Sequence, residues 1–264
     1  MPPVVRIVDA TDARTLAALA APVRDDPAVV RRVARIVEAV RRGGGRALAR
    51  YARRLDGIGR APVEVGPADI ARAARLTPPD VRRAIRQAAR HIRRVALRQL
   101  PRTRRVAVTP GVEIELRVEP IRRVGCYVPG GRYPLVSSLL MTVVPARVAG
   151  VREVVVACPR PAPAVLYAAA VAGADRIFRI GGAHAIAALA FGAAPVPRVD
   201  KIVGPGNRYV AAAKMLVAPR CAIDFFAGPT ELVAVAAGGR PDWIAADLAA
   251  QAEHDPGARA LLLT

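Results

Sequence analysis

Along the first hundred residues, apolar side chains recur at helical intervals between charged ones. Asp26-Pro27 can open a helix, with Pro27 supplying a preset φ in the first turn. Val29, Val33, Ile36, Val37 and Val40 then fall on one stripe. Gly43-Gly44-Gly45 is expected to break this helix, and "RALARYARRLDG" to resume as a second one ending at Gly57. A third helix is expected from "TPPD", with Thr77 as N-cap and Pro78 at the first helical position, running to about Leu100 before Pro101.

From Val106 the pattern changes. "GVEIELRVEP" alternates apolar and charged residues, the mark of a half-exposed strand. "SSLLMTVVPARVAG" reads as a helix despite Pro145. Short apolar strands ("EVVVAC", "RIFRIGG", "KIVGPG", "AIDFFAGP") then alternate with helices ("APAVLYAAAVAGA", "AHAIAALAFGA", "NRYVAAAKMLVA"). Apolar strands separated by helices predict a parallel sheet covered on both faces, an α/β, Rossmann-like layout. "ELVAVAAG" adds a strand, "PDWIAADLAAQAEH" a helix, and "ALLLT" opens a further strand in which the chain ends, so a continuation is expected.

The composition narrows the classes of function. Hydrophobic residues make up 53% of 264, enough for a sizeable core and too many for disorder. No apolar run has the length of a bilayer crossing without Pro, Gly or charge, and the N-terminus lacks the order of a signal peptide. Cys126, Cys158 and Cys221 are far apart and form no C-x-x-C pair, which points to a reducing, cytoplasmic setting. The net charge of +20 raises the question of a nucleic-acid partner. Lys201 and Lys214 are the two lysines. The remaining positive charge is arginine, spread over helix faces such as "VRRAIRQAARHIRRVALRQL". Solvated helix faces account for it, with a basic patch as the alternative. No zinc finger, RNP-type aromatic pattern or helix-turn-helix supports that patch, so no nucleic-acid and no membrane partner is expected.

Candidate chemistry gathers where ligands bind in parallel sheets, beyond the C-terminal ends of the strands. "GCYVPGGRYPL", "GGAH", "GPGN" and "AGPTE" each pair turn-forming Gly or Pro with a polar group: Tyr127, His184, Asn207 and Thr230. Glycine permits close backbone approach, and a following helix N-terminus favours phosphate. Each loop alone could be an ordinary turn; four in register suggest a nucleotide-sized ligand. The G-x-G-x-x-G fingerprint is absent, which leaves the cofactor open. Gln251 and His254 stand three apart on the last helix and could grip a metal together, although such a histidine can equally be structural. His91 reads as a surface residue. The cysteines read as core, with Cys126 adjoining a ligand loop and open to a reactive role.

"GCYVPGGRYPLVSSLLMTVVPARVAGV", "RIGGAHAIAALAFG", "VDKIVGPGNRYVAAAK", "IDFFAGPTE" and "ADLAAQAEHDPGA" resemble histidinol dehydrogenase, and "VEAVRRGGGRALARYARRLDG" extends the likeness towards the N-terminus. The resemblance runs collinearly along nearly the whole chain. It implies a homodimeric, zinc-dependent enzyme that oxidises L-histidinol via L-histidinal to L-histidine with two NAD+. By similarity, Tyr127, His184 and Asn207 contact NAD, with histidine where the family usually has glutamine. Thr230 takes the place of a substrate-binding serine, and Gln251 and His254 match zinc ligands that also touch substrate. The family's catalytic Glu-His pair and its remaining zinc ligands have no counterpart in this chain, which is expected to be inactive alone. Two further possibilities are a paralogue acting on another polar alcohol and a non-catalytic basic protein. The expected organisation is an N-terminal extension (1–25), a first α/β domain from 26–126 with 231–264, and a second, Rossmann-like NAD-binding domain over 127–230.

Overall fold

The protein is described by a computed structural model covering residues 7–9, 11–20, 26–59, 63–130, 134–225, 231–254 and 258–264. Its centre is a parallel sheet of five strands in the order β5-β4-β3-β6-β7: β3 (Arg123–Tyr127), β4 (Glu153–Ala157), β5 (Arg176–Phe178), β6 (Lys201–Val203) and β7 (Ala222–Ile223). Helices α5 (Val136–Val148), α6 (Pro163–Ala172), α7 (Gly182–Phe191) and α8 (Arg208–Val217) connect them.

The strands read as near-continuous apolar runs because both faces are covered. Val154 and Val156 of β4, with Val124 and Cys126 of β3, join one core under α5 and α6. Val155 and Ala157, with Phe178 and Ile202, join the other under α7 and α8. Alternation at period two divides a single apolar strand between two cores.

The N-terminal helices complete these layers. Helix α2 (Pro27–Tyr51) lays Val29, Val33, Val37 and Val40 on α7 and α8, while α3 (Pro67–Leu76) meets α6 and α4 (Pro79–Gln99) meets α5 and α6. Helices α2 to α4 thus pack on the helices α5 to α8 that cover the sheet. A short helix α1 (Ala13–Ala20) precedes them. Asp26 caps α2 as expected, its carboxylate accepting from the Ala28 N–H at 2.8 Å.

Three local expectations are corrected. The glycine triplet kinks α2 without ending it: Gly44 alone leaves helical geometry, at φ 51° and ψ −136°, and helix continues to Tyr51. A π-helical turn, Ala52–Asp56, follows and closes at Gly57 with φ 67°. Thr77 ends α3 instead of opening α4, its hydroxyl donating to the Ala73 carbonyl at 2.7 Å. Pro78 behind it disfavours helical geometry at Thr77, so the cap position passes to Pro78 and α4 starts at Pro79. Finally, "GVEIELRVEP" forms β2 (Val112–Leu116), the second arm of an antiparallel hairpin with β1 (Arg104–Thr109), and both arms are exposed throughout.

Strands β8 (Glu231–Val235) and β9 (Arg259–Leu263) pair in parallel and are crossed by α9 (Pro241–His254), forming a separate two-stranded βαβ unit. Val233, Val235, Trp243, Leu262 and Leu263 are exposed on it. No helix among the described residues is long and apolar enough to cross a membrane.

Candidate dinucleotide cleft

Strand β3 is first in the sheet. The chain adds β4 and β5 on one side of it, then crosses to place β6 and β7 on the other. Strand order therefore reverses between β3 and β6, and the carboxyl ends of these two strands flank the crevice where open α/β sheets bind ligands. Tyr127 closes β3, and the Gly204-Pro205-Gly206-Asn207 turn follows β6.

This turn is fastened from below. Gly204 has φ 114°, and a Cβ on it would lie 2.1 Å from the Tyr127 carbonyl oxygen, so only glycine fits there. Its N–H donates to Asp224 Oδ2 at 2.7 Å and its carbonyl accepts from Lys214 Nζ at 3.1 Å. Lys214, 1% exposed, also forms an ion pair with Asp224 Oδ1. Asn207 caps α8: its Oδ1 accepts from the N–H groups of Tyr209 (3.1 Å) and Val210 (3.2 Å). With the oxygen engaged and the residue exposed, Asn207 presents its amide NH2 to solvent.

A second network ties the turn after β5 to the helical layer. The Gly182 N–H donates to the Tyr127 hydroxyl at 3.0 Å, and the Gly181 N–H to Asp56 Oδ2 at 3.2 Å. That same oxygen lies 2.7 Å from His184 Nε2. Tyr127 is 3% exposed and His184 1% exposed, the latter stacked on Tyr51. Burial, ahead of every other influence, raises the Tyr127 phenol above its ordinary range. The residues expected at the cofactor thus have different settings: Asn207 lies on the rim, while the rings of Tyr127 and His184 are packed in the core.

Thr230 lies outside the described residues. Gln251 is half-buried on α9, one turn before His254, and α9 packs on β8 and β9. Among the described residues no group of three or more His, Cys, Asp or Glu comes together. His91 is on the surface, as expected. A reactive role for Cys126 is not supported. The thiol is fully enclosed, and burial pushes it up to about 12.

Sequence reasoning missed Asp56, Lys214 and Asp224. Asp224 and Lys214 each left a signal, as single charges inside the apolar runs "AIDFF" and "VAAAKMLV". Asp56 left none beyond its place before a helix-ending glycine.

The family model for histidinol dehydrogenase matches residues 19–264. The histidinol dehydrogenase of Thermus thermophilus is 52% identical over 241 residues, which cover 90% of this chain and 58% of that protein. The Methanopyrus kandleri enzyme of the same name is 47% identical over 244 residues, 88% of this chain and 57% of its own. The crystal structure of histidinol dehydrogenase from Elizabethkingia anophelis superposes with a TM-score of 0.85 at 33% identity, covering 91% of this chain and 57% of that one. The chain therefore spans somewhat more than half the length of these relatives.

Proposed function

The chain belongs to the histidinol dehydrogenase family, and from that premise we propose that it forms the dinucleotide-binding part of a cytoplasmic, homodimeric enzyme. The complete protein, in this reading, oxidises L-histidinol through L-histidinal to L-histidine with two NAD+ and zinc. The observation that supports it most directly is the crevice at the β3/β6 reversal, with the Gly204 turn and the exposed Asn207 on its rim.

NAD+ bound there supplies the acceptor for the hydride leaving the carbinol carbon. The chain's contribution is binding and orientation. The absence of a side chain at residue 204 lets the turn lie against the β3 backbone, which fixes where Asn207 stands on the rim. The Asn207 amide offers a donor to a carbonyl or phosphate oxygen, and the buried Tyr127 hydroxyl sets the height of the Gly181-Gly182 turn. Holding the acceptor at short range with little freedom is the source of proximity effects in such reactions.

The metal is a different matter. Zinc takes four donors, and Gln251 with His254 provides two. These residues alone do not fit a complete zinc shell. The rest of the shell, like the Glu-His acid-base pair, is assigned to segments of the complete protein outside this chain, and Thr230, Gln251 and His254 are read as its substrate contacts.

Calorimetric titration of the 264-residue chain with NAD+ tests the cleft. Saturable binding at one site is expected, and no heat at millimolar NAD+ overturns the reading. Incubation with histidinol, NAD+ and zinc is expected to leave absorbance at the NADH wavelength flat. Sustained turnover would place the missing groups inside this chain.

A further inference from the structure

The buried Asp56–His184 pair is not explained by a direct role at the cofactor. His184 sits in the first turn of α7, where an exposed side chain could meet a ligand, but its ring is 1% exposed and directed at Asp56. The carboxylate can only accept, so the imidazole carries its proton on Nε2 in this contact. Nδ1 finds no partner among the described residues and lies beside Gly182.

Asp56 reaches further than its direct contacts. Its Oδ2 holds the Gly181 N–H. A Cβ on Gly181 would lie 2.5 Å from Pro159 Cγ, and one on Gly130 would lie 2.8 Å from the same atom. Pro159 is thus wedged between the turn after β5 and the loop after β3, with no slack on either side. Gly182, next along, is tied to the Tyr127 hydroxyl. A displacement of Gly181 is passed through Pro159 to Gly130, and through Gly182 to Tyr127. The first amides of α7 are also already taken by Asp56 and Tyr127, and a carboxylate stands at that helix N-terminus. An anionic ligand group meets an unfavourable charge there.

We propose that Asp56 is a positioning residue for the dinucleotide cleft: through Gly181, Pro159 and Tyr127 it fixes the rim formed after β3 and β5. His184 is its hydrogen-bond donor and does not contact the cofactor. This rests on the reading of the cleft given above.

The test uses the 264-residue chain and NAD+ affinity measured by calorimetry at least ten degrees below each variant's unfolding midpoint. Asp56→Asn keeps one oxygen for the two donors that already share Oδ2 but replaces charge-assisted bonds by weaker neutral ones, and His184→Leu removes the donor. Each is expected to raise the NAD+ Kd by about three- to tenfold, the scale of one lost hydrogen bond. A role confined to stability would lower the midpoints of Asp56→Asn and His184→Leu and leave Kd unchanged, which overturns the proposal. A weakened His184→Leu beside an Asp56→Asn of unchanged Kd overturns it too, because the ring itself would then be the contact. If His184→Leu does not fold, Asp56→Asn decides. Failure of the unsubstituted chain to bind NAD+ brings down the cleft, and the positioning role with it.

Discussion

Replacing Lys214 by methionine keeps the length and apolar stem of the side chain while removing its ammonium group. In the structure that group is 1% exposed within α8, among Val210, Ala213 and Val217. It pairs with Asp224, donates to the Gly204 carbonyl at 3.1 Å, and lies 5.4 Å from the centre of the Phe225 ring. Methionine leaves the Asp224 carboxylate uncompensated and the Gly204 carbonyl without its donor. Breaking a buried ion pair from one side costs about 3–5 kcal/mol. Asp224 keeps 16% of its side-chain surface in solvent, and the N–H groups of Gly204 and Phe225 still reach it, which favours the lower end, about 3 kcal/mol. Urea denaturation followed by circular dichroism at pH 7 measures this, with the slope expected to be unchanged. A cycle with Asp224→Asn separates pair from scaffold. Because asparagine removes the stranded charge, the double variant should lose about 1–3 kcal/mol less than the two single losses added together. A Lys214→Met loss below about 1 kcal/mol, or a cycle with no coupling, would refute the view that this pair fastens the Gly204 turn.

Two further predictions rest on ionisable groups outside the cleft. Arg176 donates to both oxygens of Glu64 at 2.7 Å, and this hydrogen bonding, outweighing desolvation, holds the carboxyl below its ordinary 4.5. A folded-state value below the unfolded one contributes stability that is fully present above pH 4.5 and is lost as pH falls through the folded value. Glu64→Gln should therefore lower the unfolding temperature at pH 6–7, and the difference should shrink as pH falls below 4.5; a difference independent of pH contradicts the pairing. Burial raises the thiols of Cys126 and Cys158 to about 12 and that of Cys221 to about 11. At pH 8 a disulfide reagent such as DTNB should titrate no thiol in the folded chain and all three in denaturant; prompt labelling of any one in the folded chain would contradict its enclosure.

Much of this protein was legible along the chain, and the legible part has a common physical origin. A period of 3.6 reports which face of a helix is apolar, as in the stripe Val29, Val33, Ile36, Val37, Val40, and a short run apolar throughout, such as "EVVVAC", reports a strand covered on both faces. The turns bearing Tyr127, His184 and Asn207 were visible for a similar reason, since glycine and proline mark where the chain must reverse. Helix α3 was missed because its ten residues carry three charges among short apolar side chains. Thr77 was assigned to the wrong end of a helix because a hydroxyl can serve either end, and the deciding clash comes from Pro78.

What the sequence by itself determined is therefore the kind of elements, their order and the loops that carry chemistry, because these follow from local periodicity and turn stereochemistry. Partnership was decided only in three dimensions. Asp56 meets His184 across 128 residues, and Glu64 meets Arg176 across 112. The side chain expected to face a ligand turned inward once α2 and its π-helical extension brought a carboxylate to the end of the sheet. No local signal specifies such a meeting, because a polar group buried in the core takes whichever partner the packing of distant elements delivers.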